Sequence, residues 1–223
     1  MRARGVAKPA PMPPAPRRRM RRADRERQIV EEAVRYFSEV GFTGETRELA
    51  RRLQITQPAL FKYFETKDAL IERVYQHVYV NRWKPQWQAL LTDRTLPLKQ
   101  RMLTFYKDYA RAILSREWIR LFMFSGLKDA AINQRYLRLV RDRVFVPICV
   151  ELRAHLDLPS IQKQPLTEVE IELVRALNEK IFYLGVRKWI YQTPVPDNAL
   201  DIVEAEVEAF FEGVPRVVSD LIG

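Results

Sequence analysis

Histidine, cysteine and glycine are scarce in this chain, and each shortage excludes a class of function. Two histidines, His77 and His155, and one cysteine, Cys149, are too few and too scattered for a metal site and cannot form an internal disulfide. They also supply no nucleophile–His–acid set, and no glycine-rich phosphate loop is present. The sequence therefore predicts no catalytic residue, metal or cofactor, and a protein that is not an enzyme. No apolar run approaches the ~18–20 residues that a membrane-spanning helix needs. The N-terminus also lacks the apolar core of a signal peptide, which predicts a cytoplasmic protein with no membrane partner. Only seven glycines fall among 223 residues, and the long segments between breakers have helical periods. Together these predict an all-α fold.

Charge is unevenly spread. Residues 1–22 hold eight bases and no acid, so most of the net charge of +10 lies in this segment. It also carries Pro9, Pro11, Pro13, Pro14 and Pro16. With almost nothing to bury and no helix possible, it reads as a disordered Arg/Pro-rich segment. It is either a basic arm that follows phosphates or enters a minor groove, or a solvated extension. The remainder is nearly balanced, so no globally basic binding surface is expected.

After Asp24 the residues Ile29, Val30, Ala33, Val34, Phe37 and Val40 recur at helical spacing until Gly41 stops the run. Thr46, Thr56 and Thr66 each read as the N-cap of a further helix, the third running to about Phe64. Longer helices are predicted near 97–114, 117–125, 128–155, 167–191 and 198–220, with Pro147 as a kink. The organisation expected is an arm over 1–22, a three-helix helix-turn-helix head over 23–66, and a multi-helix body over 67–223 for ligand binding and dimerisation.

The stretch TRELARRLQITQPALFKYF, residues 46–64, carries the chemistry. Two short helices joined by a tight turn follow the helix-turn-helix plan, whose second helix enters the DNA major groove. Leu49, Ala50, Ile55 and Leu60 are placed to form its small core. Pro58 falls in the first turn after the cap Thr56, where a missing N–H breaks no bond. Gln57 has the groups to read an adenine edge bidentately, and Pro58 and Ala59 suit a thymine methyl. Lys62, Tyr63 and Lys67 reach phosphates, while Thr46 and Arg47 stand at the tip of the preceding helix. Singly, each of these residues reads as surface or core; as a set at this spacing they read as a DNA contact surface.

Residues 27–70 resemble the DNA-binding region of the TetR family of transcriptional regulators. The resemblance lies in Gly41-Phe42, in Thr46 before Leu49-Ala50, and in Ile55-Thr56. Most specific is Leu60-Phe61-x-Tyr63-Phe64-x-x-Lys67-Asp68-x-Leu70. By position, Phe61 replaces a phosphate-contacting tyrosine, Tyr63 stands where histidine or tyrosine is usual, and Lys67 matches a phosphate-binding lysine. Gln54 replaces a common glycine in the turn, which implies a positive φ at a non-glycine residue.

One helix-turn-helix reads few base pairs, so a homodimer on a palindromic double-stranded operator is expected. The last two helices are the candidate interface, through Leu177, Ile181, Leu184, Val203, Val207 and Phe210, in the four-helix bundle that the resemblance implies. The resemblance further implies a cavity for a small, largely apolar effector that releases DNA and so relieves repression. Candidate lining residues are Trp83, Phe105, Tyr109, Trp118, Arg120 and Phe122, with Tyr109, Arg120 or His77 as polar anchor. Two other readings remain: an all-α carrier or enzyme in which the first helices are scaffold, and a DNA-binding regulator that answers to a protein partner.

Overall fold

A computed structural model describes residues 21–128 and 130–222. The expected basic arm therefore lies almost wholly outside the described residues, whose regular structure is all helical with no strand among them. The helices are α1 (Arg22–Val40), α2 (Thr46–Arg52), α3 (Gln57–Phe61), α4 (Lys67–Tyr75), α5 (Gln86–Thr92), α6 (Leu98–Ile113), α7 (Arg116–Lys128), α8 (Ala131–Val140), α9 (Val146–His155), α10 (Glu168–Trp189) and α11 (Ala199–Ile222). No helix among the described residues is long and apolar enough to cross a membrane.

Local signals account for most boundaries. Gly41, at φ 79°, ends α1 and donates its N–H to Phe37 O. The Thr56 and Thr66 hydroxyls accept from Ala59 N–H and Ala69 N–H and cap α3 and α4. Thr167 and Glu170 form a reciprocal capping box on α10.

Several boundaries depart from expectation. Thr46 is the first residue of α2 rather than its cap, because Glu45 holds the extended cap position. The third helix stops at Phe61, short of Phe64. A short helix, α5, follows Pro85 where none was predicted, and buries Trp87 and Leu91. The predicted 128–155 helix divides into α8 and α9 around a π-helical turn at Arg141–Phe145, with Pro147 in the first turn of α9. A similar π turn, Gln76–Val80, extends α4.

One apolar core runs from Ile29 in α1 to Ile222 in α11. α1 packs along both α4 and α7, which seats the head on the body, while α10 packs on α7, α9 and α11, and α11 on α6. At Gly185 the crossing of α10 over α7 is tight, since an added Cβ would lie 2.5 Å from Ile119 Cδ1.

The candidate dimer residues need correction. Leu177, Ile181, Leu184, Val203, Val207 and Phe210 are all buried within the single chain. The apolar stripes of α10 and α11 that periodicity picks out are spent on α6, α7 and each other. The outward faces carry different residues, among them Tyr183, Val217 and Leu221.

Candidate nucleic-acid interface and ligand cavity

In the head, Leu49, Ala50 and Leu60 are buried between α2 and α3, and Phe64 closes the core behind them. The connecting turn is held by Gln54 N–H to Arg51 O and Ile55 N–H to Ala50 O, each 3.0 Å. Gln54 has φ 54°, so an ordinary side chain occupies the left-handed turn position. Arg47, Pro58 and Lys62 are exposed; Gln57, Ala59, Phe61, Tyr63 and Lys67 are half-buried. Thr46 is buried, and its hydroxyl accepts a 2.8 Å bond from Gln57 Nε2. That bond ties the first residue of α3 to the first of α2 and holds the Gln57 amide at the rim of a groove. Thr43, Arg47 and Lys67 line the same groove, of about 370 Å³.

The bases of this face divide by partner. Arg51 is paired to Glu48 at 2.7 Å and Arg52 to Glu39 at 2.8 Å, with Arg52 also over the Tyr36 ring. Arg47, Lys62 and Lys67 have no carboxylate within ion-pair distance among the described residues. Burial pushes the Lys67 ammonium pKa down, and the positive charge of Lys128 adds to the effect. A phosphate at Lys67 would relieve both. Two basic residues absent from the sequence-based set stand beside α3. Arg22 lies over the Tyr63 ring and reaches Lys62 O at 3.5 Å, and Arg25 reaches Leu53 O at 3.5 Å. Only the packing of α1 against the helix-turn-helix pair puts them there.

The body holds an aromatic cavity of about 320 Å³ between α6, α7, α8 and α10. α6 contributes Tyr109 and Ile113, α7 Trp118 and Phe122, α8 Tyr136 and Leu137, and α10 Asn178, Glu179, Phe182 and Tyr183. Trp118 stacks on Phe122 at 5.0 Å, and the Tyr109 and Tyr136 hydroxyls share a 2.9 Å bond. Asn178 is buried, and its side-chain carbonyl oxygen has no hydrogen-bond partner. A ligand donor would satisfy it.

Of the six expected lining residues, Tyr109, Trp118 and Phe122 meet here and three lie elsewhere. Trp83 packs edge-on against Trp87 beneath Arg143. Phe105 is fully buried and stacks on Tyr109 without lining the cavity. His77 faces Glu26, Arg27 and Arg73 in a cleft between α1 and α4. Asn178 was missed, although a polar residue on the buried Val174–Ile181 face of α10 was a readable signal.

Arg120 corrects expectation most informatively. It donates to Ser38 O at 2.5 Å and Glu39 O at 3.2 Å, at the C-terminal end of α1, and to Trp189 O at 3.4 Å, at the end of α10. Orphan helix carbonyls and the negative end of the helix dipole account for this placement. A second arginine ties α8 to α4, the helix that leads out of the head. Arg135 forms a bidentate pair with Glu72 of α4, at 2.6 and 3.0 Å, and lies 4.2 Å over the Tyr75 ring. Arg120 sits between the cavity residues Trp118 and Phe122, and Arg135 beside Tyr136. Two of the four helices that wall the cavity thus grip α1 of the head or α4, the helix that leads out of it.

Comparison with known proteins agrees with this architecture. The family described as bacterial regulatory proteins, tetR family, matches residues 29–74. The tetracycline repressor protein class A from transposon 1721, from Escherichia coli, is 33% identical over 91 residues, which is 37% of this chain and 42% of that protein. The matched part thus spans less than half of that relative. Among solved structures, a TetR-like transcriptional regulator from a Rhodococcus species is 20% identical and superposes with a TM-score of 0.65, covering 87% of this chain and all of that one. A regulator from Streptomyces coelicolor, 18% identical, gives 0.62 over 90% and 86%. The regulator PfmR from Thermus thermophilus, 18% identical, gives 0.60 over 83% and 98%. Residues 29–74 thus carry the TetR family's DNA-binding head, and the helical body has the fold of solved TetR-family regulators.

Proposed function

We propose that the chain is a homodimeric repressor whose two α3 helices enter successive major grooves of a palindromic operator, and which leaves DNA when its aromatic cavity fills. Residues 23–66 then act as the DNA-binding domain and residues 67–223 as the effector-binding and dimerisation domain. The observation that carries this is the double attachment of α7 and α8, which form cavity walls on one side and hold α1 and α4 through Arg120 and Arg135 on the other. A ligand that prefers one spacing of these helices would shift the head by its difference in affinity between the two states.

In this reading Gln57, Pro58 and Ala59 meet base edges, with Thr46 orienting Gln57 and Thr56 holding the first turn of α3. Arg47, Lys62, Tyr63 and Lys67 meet phosphates, and Phe61 packs on the sugar–phosphate backbone. The second copy is assigned to the outward face of α10 and α11, where Tyr183, Val217 and Leu221 are 49%, 41% and 47% exposed. Exposed Ala205, Ala209 and Gly213 continue that face at four-residue spacing. Gly213 has nothing within 4 Å of where a Cβ would stand. A helical glycine costs about 1 kcal/mol relative to alanine, and close approach of a partner helix gives that cost a purpose.

The test is in vitro selection of DNA sites by the purified protein at near-physiological salt. Recovery of a palindrome with half-sites about one helical turn apart, or a multiple of it, supports the reading. Failure of folded protein to enrich any sequence would overturn it and leave a small-molecule carrier built on the same cavity.

A further inference from the structure

We propose that the cavity selects a lipophilic aromatic cation with N–H donors, such as a protonated fused-ring amine. This rests on the effector-cavity reading above and names the chemistry that the cavity's wall prefers.

Three features of the wall agree. First, the cavity is ringed by six aromatic side chains on all four of its helices, and aromatic faces carry the negative part of the ring quadrupole. A cation placed over them is attracted and an anion repelled. Second, the single charged side chain in the lining is Glu179; no lysine or arginine contributes. Glu179 is exposed beside Leu137 and Tyr183, so it stands at the mouth, where a cation must pass. Third, the lining includes Asn178, whose buried carbonyl oxygen has no hydrogen-bond partner and can only accept.

The remaining polar groups do not favour the opposite charge. The hydroxyls of Tyr109 and Tyr136 are bonded to each other at 2.9 Å. Burial pushes Tyr109 up to about 12 and Tyr136 well above the usual phenol range, so both stay neutral. A carboxylate ligand entering here would meet ring faces, a carbonyl oxygen and Glu179, with no compensating cation. At about 320 Å³ the cavity is at the small end of ligand sites. That suits one flat fused-ring system better than a long flexible chain.

The experiment is titration calorimetry of the full chain, without DNA, against three ring-matched probes. They are 9-aminoacridine, a cation at neutral pH; 9-hydroxymethylanthracene, neutral; and anthracene-9-carboxylate. The amine is expected to bind roughly tenfold tighter than the alcohol, in line with a cation over desolvated rings, and the carboxylate more weakly still. Glu179→Gln should narrow the amine's advantage, because the rings remain while the carboxylate at the mouth is lost, and leave the alcohol's affinity within about twofold. Asn178→Leu should weaken the amine and the alcohol together, since both lose their acceptor. Comparable binding of all three probes, or a preference for the carboxylate, overturns the proposed ligand class while the cavity reading stands. An amine preference undiminished by Glu179→Gln upholds the ligand class on the ring faces alone and overturns the part assigned to Glu179. Failure of all three to bind overturns the effector cavity itself, and the proposal with it.

Discussion

Arg120 offers the sharpest test of how cavity and head communicate. Arg120→Met keeps the length and apolar stem of the side chain but removes the donors to Ser38 O, Glu39 O and Trp189 O. A hydrogen bond from a charged donor contributes about 1.5–3 kcal/mol. Only the bond to Ser38 O, at 2.5 Å, is short; those at 3.2 and 3.4 Å are weak, and the group is half-buried. Adding ~0.3–1 kcal/mol for a cation at a helix C-terminus, and discounting for exposure, gives a net loss of about 2 kcal/mol. Urea unfolding should show that loss as a lower midpoint at unchanged slope. The functional consequence is larger than the loss of stability implies. Four dissociation constants define a cycle: ligand with and without operator, for wild type and variant. The ligand's affinity for free protein should stay within about twofold, because Arg120 does not line the cavity, while the coupling between ligand and operator should shrink severalfold. If coupling is unchanged in a variant that has lost the expected stability, Arg120 is only a structural tie and the proposed route through α7 is refuted.

Three further outcomes are expected. Lys67→Ala should weaken DNA binding about equally across sequences and flatten the dependence of log K on log salt by about one per subunit; an unchanged slope would remove Lys67 from the phosphate contacts. Val217→Asp, at a position 41% exposed in the single chain, should leave the fold's stability within about 0.5 kcal/mol while sedimentation shows a monomer; a persistent dimer would place the interface elsewhere. Glu170 is raised by burial, but its bonds to Arg153 and Thr167 together outweigh that and hold its carboxyl below the usual range. With the folded pKa lowered, its contribution is complete above about pH 4.5 and is lost as pH falls through the folded value. Glu170→Gln should therefore flatten the stability profile below pH 4.5. It should also cost about 3–5 kcal/mol at pH 7, because the buried Arg153 loses its carboxylate. Thermal melts across pH 3–7 that run parallel for the two proteins would contradict this.

Local chemistry made the head legible. Thr56 and Thr66 cap helices because a side-chain oxygen answers N–H groups a few residues away, and Gly41 stops α1 because the stop needs φ 79°. These interactions span three or four residues, so the one-dimensional pattern already contains them. The positive φ at Gln54 was expected from the resemblance, since Gln54 stands where the TetR family commonly has a glycine. α5 was not, since seven residues after a proline carry too little periodic signal to separate from a loop.

Beyond the head, residue order alone settles which residues are apolar and that they lie on helices. It does not say which helix covers which. Leu177, Val207 and Phe210 have the periodicity of an interface and of a core alike, and only the packing of α10 and α11 against α6 and α7 made them core. The same holds for the cavity. Aromatic content marked α6 and α7, but Asn178 and Glu179 joined Tyr109 and Tyr136 only because α8 and α10 close around them. Arg120 shows the limit most plainly: its three acceptors lie 82, 81 and 69 residues away along the chain. A contact of that range is a property of how helices dock, and no local pattern records it.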